Sequence, residues 1–115
     1  MSAPDGAGMT EQTVAARVPT HFASRYLQQL AKHWSHKMTV VFSAQEGTID
    51  FPSGARLAMR ADSDSLDCVL SVPADGDLAQ MQEVVARHLD RFAFREAPLT
   101  FDWTFLRGDQ PSTSR

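Results

Sequence analysis

The central third of the chain, Met38 to Val72, decides the fold, and it reads MTVV FSAQEGTIDF PSGARLAMRA DSDSLDCVLS V. Apolar residues recur at every second position in four short runs, a period typical of half-buried β-strands. Turn-forming residues separate the runs at Gln45–Gly47, Pro52–Gly54 and Asp62–Ser65. Short strands joined by tight turns usually pair antiparallel with their sequence neighbours. This stretch therefore predicts a four-stranded antiparallel meander.

An amphipathic helix is predicted on each side of the meander. In both segments the apolar residues recur at spacings of three and four, which places them on one helical stripe. Thr20 and Asp77 are candidate N-caps, because each precedes its apolar stripe and offers a side-chain oxygen. The stripes consist of Ala23, Tyr26, Leu27, Leu30 and Trp34 in the first helix, and Leu78, Met81, Val85, Leu89 and Phe92 in the second.

Two outer strands complete the predicted architecture. Val14 to Val18 alternates apolar and other residues before Pro19, and Leu99 to Leu106 places Phe101, Trp103 and Phe105 on one face. The predicted order is β-α-β-β-β-β-α-β. We expect an α+β two-layer sandwich in which both helices pack on one face of a mainly antiparallel sheet. Residues 11–107 should form this single domain, between disordered tails at residues 1–10 and 108–115.

Composition narrows the classes of function. The chain has 115 residues and a formal net charge of −3, which fits one domain and disfavours general binding to nucleic acid. Its one cysteine, Cys68, cannot form an internal disulfide. We see no secretory signal and no apolar run of the roughly 20 residues that span a membrane. The sequence therefore predicts a soluble cytoplasmic protein without a membrane or nucleic-acid partner.

Four segments resemble the bacterial family known as domain of unknown function 2218. They are SRYLQQL at Ser24–Leu30, KHWSHK at Lys32–Lys37, GTIDF at Gly47–Phe51 and RHLDRFAFRE at Arg87–Glu96. The similarity extends from about residue 14 to about residue 103. The resemblance implies a small bacterial domain without an established activity, sometimes associated with siderophore-interacting flavin reductases. It implies no catalytic or ligand residues.

Three histidines form a candidate metal site. His33 and His36 are three residues apart on the predicted first helix, and His88 lies on the corresponding flank of the second helix. If the helices are antiparallel neighbours with these flanks together, the three imidazoles would line one groove and could bind zinc, copper or iron. The alternative is that His33 and His88 are border residues of the core and that His36 is solvated. No carboxylate or cysteine completes the set at a recognisable spacing.

Basic residues are concentrated on the helices, whereas the meander is acidic. Arg25, Lys37, Arg87 and Arg91 are the candidate ligand-binding residues, and they favour a small anionic ligand or an acidic partner protein. The groove between the helices would be the anion-binding site. The alternative is a solvated helix surface with local ion pairs, such as Glu83 with Arg87.

No enzyme motif is present, and the sequence identifies neither a catalytic residue nor a cofactor. Cys68 shares a strand face with Leu66 and Leu70, which predicts a buried thiol. The first hypothesis is thus a binding or accessory module, with a link to iron or siderophore metabolism that only the resemblance implies. The competing hypothesis is a metal-binding protein or enzyme that uses the three histidines. We expect a monomer or a weak homodimer formed through the second sheet face, where Val41 and Val69 lie.

Overall fold

Six strands and two helices build residues 11–106, the part of the chain that the computed structural model describes. The predicted tails at residues 1–10 and 108–115, and Arg107, lie outside the described residues. The helices are α1 (Ala23–Trp34) and α2 (Leu78–Phe92). The strands are β1 (Glu11–Pro19), β2 (Thr39–Phe42), β3 (Glu46–Asp50), β4 (Arg56–Ala61), β5 (Ser65–Pro73) and β6 (Thr104–Phe105).

The strands form one antiparallel sheet in the order β2-β3-β4-β5-β1-β6. Strands β2 to β5 are the predicted meander, which is confirmed. The N-terminal strand β1 pairs with β5 along its whole length, from Glu11 opposite Pro73 to Pro19 opposite Ser65. The sheet is therefore open, with β2 at one edge and β6 at the other.

Both helices cover one face of this sheet, as the α+β two-layer prediction requires. Alternate residues along the strands are buried under the helices, for example Leu57 and Met59 in β4. Leu30 of α1 and Leu89 of α2 lie in the same core and are fully buried. The opposite face of the sheet, which we call the outer face, has no helix on it within the described residues.

The two helices begin differently. The carboxylate of Asp77 accepts from the backbone N–H of Gln80 at 3.0 Å, so the predicted cap of α2 is confirmed. Thr20 does not cap α1, because that helix begins only at Ala23 and Phe22 takes the N-cap position without a side-chain hydrogen bond. The Thr20 hydroxyl instead accepts from the N–H of Phe22 at 3.1 Å.

Helix α1 ends at Trp34, although the candidate metal site needs both His33 and His36 on this helix. The N–H groups of Lys37 and Met38 both donate to the carbonyl of Trp34, and the Ser35 hydroxyl donates to the carbonyl of Lys32. These bonds close the helix at Trp34 and turn the chain towards β2. His36 therefore lies in an exposed turn and not on the helix that was predicted to carry it.

The last predicted strand, Leu99 to Leu106, is wrong over most of its length, because only Thr104 and Phe105 pair with β1. Before them the chain stays with the helical layer. The backbone N–H of Leu99 donates to the Asp90 carboxylate at 2.8 Å, and the Leu99 side chain is buried. These contacts hold the start of the segment against the helical layer.

Candidate functional site

The two helices run antiparallel where they cross. The Tyr26 hydroxyl, near the start of α1, donates to Glu96, which lies beyond the end of α2. Near the end of α1, the His33 ring lies 5.5 Å from the ring of His88 and 5.8 Å from that of Phe92, measured between centroids. The contacts thus follow opposite chain directions in the two helices. This arrangement brings the histidine-bearing flanks of α1 and α2 together.

His88 is held in one orientation by its own helix. Its Nδ1 donates to the carbonyl oxygen of Val84 at 2.8 Å, and its ring lies 4.8 Å from that of Trp34. Because a carbonyl oxygen only accepts, the proton lies on Nδ1, and Nε2 of the neutral ring is left as an acceptor. The His88 side chain is half-buried.

His33 lies in a positive environment. Partial burial lowers the pKa of its imidazole, and the charges of His88, Lys37, Arg91 and His36 lower it further. Burial and nearby cations both oppose protonation, so the neutral ring is favoured near pH 7. The largest contributions to this shift come from burial and from these positive groups. The side chains of His33, Lys37, His88 and Arg91 form what we call the helix-crossing site.

The structure brings two of the four predicted ligand-binding residues to this site. Lys37 and Arg91 are close enough to lower the pKa of His33, and within residues 11–106 neither forms a salt bridge. Arg87 instead pairs with Glu83 at 3.0 Å, which is the local ion pair that the alternative hypothesis predicted. The guanidinium of Arg25 lies 5.6 Å above the ring of Phe22. Of the four predicted ligand-binding residues, Lys37 and Arg91 are therefore the two whose charges act on His33.

The structure brings two of the three candidate metal ligands into contact. His33 and His88 are in ring contact, whereas His36 is exposed in the turn after α1. Across the described part of the chain, no group of three or more histidine, cysteine, aspartate or glutamate side chains is placed to hold a metal ion. Two imidazoles are thus the largest ligand set at the helix crossing.

Sequence reasoning missed a polar cluster at the other end of the helix pair. Glu96 accepts hydrogen bonds from the hydroxyls of Tyr26 and Thr20, the latter at 2.9 Å. Burial, and then the bond to Glu96, raises the pKa of the Tyr26 hydroxyl. The position of Tyr26 on the apolar stripe hinted that its hydroxyl needs a buried partner, but no spacing pointed to Glu96. The cluster ties the segment after α2 to the start of α1.

The outer face carries a depression of about 620 Å³ that sequence patterns did not reveal. It lies over β2 to β5, far from the helix crossing, and small residues such as Ala58 and Thr48 form part of its lining. Its charged residues have both signs, and Asp67 is already paired with Arg17 at 3.0 Å. The depression therefore selects no ligand charge, and the helix-crossing site is chemically the more specific of the two.

Two other candidate groups serve the fold. Burial raises the pKa of the Cys68 thiol to about 12, so this residue is not a nucleophile at neutral pH. The carboxylate of Asp62 accepts from the backbone N–H groups of Asp64 and Ser65, both at 2.8 Å. These bonds lower the pKa of Asp62 and close the turn between β4 and β5.

Comparison with known proteins places the chain in a family. Residues 15–104 match the family described as an uncharacterized protein conserved in bacteria, domain of unknown function 2218. The chain belongs to this family. A solved relative is the NMR structure of PA4090 from Pseudomonas aeruginosa, which is 35% identical and superposes with a TM-score of 0.67 over 81% of this chain and 95% of that chain. No curated protein matches the chain.

The family match confirms the resemblance seen in the sequence segments, and the relative from Pseudomonas aeruginosa has the same fold. Neither description states an activity or a ligand. Within the described residues, neither helix is long and apolar enough to cross a membrane.

Proposed function

We propose that this domain is a non-catalytic binding module that takes a small anionic ligand at the helix-crossing site. The observation that carries the proposal is the position of Lys37 and Arg91 beside His33 and His88, with no carboxylate paired to either cation among residues 11–106. A phosphate or carboxylate group would supply the missing counter-charge. It would also accept hydrogen bonds from donors already gathered in one place.

The two histidines adapt the site to an anion in different ways. With the ring proton on Nδ1, the Nε2 of His88 can accept a hydrogen bond from the hydroxyl of a monoprotonated phosphate. Burial and the positive groups around His33 lower its pKa, so a bound anion would offset the effect of those charges and favour the imidazolium. Anion binding is then coupled to proton uptake, and affinity should rise as pH falls.

A link to iron or siderophore metabolism agrees with this chemistry. Siderophores present anionic oxygen donors to iron, and Lys37 and Arg91 would interact with such groups as they would with phosphate. An acidic segment of a partner protein is the other source of the same group. The proposal concerns the shared anionic chemistry, and a ligand screen would separate the sources.

Phosphate titration followed by NMR tests the proposal. Inorganic phosphate should shift the amide signals of α1 and α2 around His33 and His88 in a saturable way. Arg91→Gln and Lys37→Gln should each weaken binding by about tenfold to a hundredfold, because each removes a charged donor worth about 1.5–3 kcal/mol. Arg87→Gln is the matched control, since it removes a neighbouring arginine of α2 that pairs with Glu83.

Equal effects of Arg91→Gln and Arg87→Gln would indicate diffuse attraction of anions to the helical layer and would contradict a defined site. The same conclusion would follow if phosphate shifted no signals near His33 at any concentration.

A metal-binding role is the second candidate, and the Nδ1 hydrogen bond of His88 favours it. Metal-ligating histidines commonly donate their other ring nitrogen to a carbonyl, as His88 does to Val84. The ring of His33, the second candidate ligand, lies 5.5 Å from that of His88 between centroids. Titration of the protein with Zn²⁺ separates the two candidates: Arg91→Gln should strengthen binding of a cation and weaken binding of an anion.

A further inference from the structure

Strand β2 is a short edge strand that has neither a charged residue nor a proline to block pairing. It consists of Thr39, Val40, Val41 and Phe42, which all favour strands. Val41 points to the outer face and is 68% exposed. Proteins commonly place lysine or proline at such positions to prevent pairing with another chain. This edge is therefore open to a further strand.

The hydrogen-bonding pattern of the hairpin defines which groups are available. The N–H of Ser43 donates to the carbonyl of Glu46, so these residues form a hydrogen-bonded pair. Bonded pairs alternate along antiparallel strands, so Val41 and Thr39 bond to β3 while Val40 and Phe42 face away from the sheet. Among the described residues, no hydrogen bond occupies the outward N–H or C=O of Val40 and Phe42.

We propose that a second copy of this chain pairs with β2 in antiparallel orientation, so that two sheets join across a twofold axis at Val41. In this register Val40 of each copy exchanges both backbone hydrogen bonds with Phe42 of the other. Val41 faces its own equivalent as a non-hydrogen-bonded pair, with Cα atoms about 4.5 Å apart. A register shifted onto Val40 would need the N–H of Met38, which already donates to Trp34.

The side chains around the axis suit a second copy better than a ligand of one charge. Val41 meets Val41 on the outer face, and Val40 meets Phe42 on the helix side, so both sides of the junction are apolar. The strand begins after the basic Lys37 and ends before the acidic Glu46, neither of which forms a salt bridge within residues 11–106. Antiparallel pairing moves the basic end of each strand towards the acidic end of the other.

The turn that follows β2 is held by a hydrogen bond from helix α1. The Ser24 hydroxyl of α1 donates to the carbonyl of Ala44 at 2.7 Å, which fixes the turn between β2 and β3. An edge that is already ordered loses little conformational entropy on association. The junction is nonetheless short, with four residues in each strand, so the dimer is weak and depends on concentration. This surface is separate from the helix-crossing site, and neither proposal depends on the other.

Cross-linking tests the register. Val41→Cys places two thiols on the twofold axis at a Cα separation within the range of about 4.4–6.8 Å that a disulfide allows. In a buffer containing oxidised glutathione, this variant should form a covalent dimer. Ala44→Cys is the matched control, because its exposed thiol lies three residues from the axis in the turn. Cys68 does not interfere, since it is fully buried.

Sedimentation supplies an independent measurement on the unmodified protein. The wild-type chain should show a reversible monomer–dimer equilibrium in a series up to about 1 mM. Val41→Lys should raise the dimer Kd at least tenfold, because it brings two ammonium groups together at the axis, whereas Val41→Thr should leave the Kd within about threefold. Both variants should fold, since Val41 is exposed.

A wild-type protein that sediments as a monomer throughout the series would overturn the proposal. A dimer that persists in Val41→Lys and does not cross-link through Val41→Cys would also overturn it, and would point to a contact through the outer face instead.

Discussion

At the scale of single residues, the protonation of His33 depends on the groups that surround it in the fold. Partial burial lowers its pKa, and so do the positive charges of His88, Lys37, Arg91 and His36. In the unfolded chain these effects vanish, and the pKa returns to about 6.5. The unfolded state therefore binds this proton more tightly than the folded state does.

The sign of the resulting pH dependence follows from linkage. The stability contributed by neutral His33 is fully present above a pH of about 6.5 and is lost as pH falls through the lowered pKa of the folded state. We expect the wild-type protein to lose more stability between about pH 7.5 and pH 5 than His33→Gln does. Urea unfolding at a series of pH values measures this difference. His36→Gln is the control, because that exposed side chain contributes least among the charges that act on His33.

The pKa of His33 can also be measured directly. An NMR titration of the His33 ring should give a value below about 6.5 in the wild type and a higher one in Arg91→Gln, which removes one of the opposing charges. A value unchanged by Arg91→Gln would mean that the guanidinium lies too far away to contribute to the helix-crossing site.

At the scale of elements, the contact between the segment after α2 and the start of α1 depends on Glu96. The Tyr26 hydroxyl and the Thr20 hydroxyl both donate to this carboxylate, and Tyr26 is buried. The same segment carries Leu99 into the core. Removing one donor should therefore weaken the contact between the segment after α2 and the start of α1.

Tyr26→Phe should lower the free energy of unfolding by about 1.5–3 kcal/mol, the usual contribution of a hydrogen bond to a charged group. Urea denaturation measures the change. Combining Tyr26→Phe with Glu96→Gln in a double-mutant cycle isolates the pair, and the expected coupling is positive. Additive effects of the two changes would show that Tyr26 contributes through packing alone.

At the scale of the whole molecule, one core joins the helical layer to the sheet. Leu30 and Leu89 come from different helices, and both are fully buried in it. Leu30→Ala and Leu89→Ala should each cost about 2–5 kcal/mol, because truncation leaves a cavity that the packed neighbours cannot fill. Leu106→Ala, at a side chain that is 38% exposed, should cost less than about 0.5 kcal/mol. Chemical denaturation of the three variants makes the comparison, and an unchanged midpoint for either core variant would contradict the assigned helix faces.

The sequence by itself determined the family, the α+β order of elements, the meander and the buried faces of both helices. These features follow from local periodicity. Apolar residues at every second position share one face of a strand, and apolar residues three and four apart share one face of a helix. Val14, Leu30 and Leu89 were assigned to buried faces on this ground, and all three are buried. The Asp77 cap was predictable for the same reason, because its partner lies three residues away.

Only the tertiary structure decided which residues from distant parts of the chain meet. The contact between His33 and His88 depends on the order and direction of the helices. The periodicity of the sequence allowed the histidine-bearing flanks to lie together or apart. The partner of Tyr26 and the route of the chain from Asp90 to Leu99 involve contacts that no local pattern encodes. Helix α1 ends at Trp34, so His36 lies outside the helix. The helix ends there because backbone N–H groups donate to the carbonyl of Trp34 as the chain turns towards β2. Local patterns set the faces of the elements, whereas long-range packing selects the pairs that form a site.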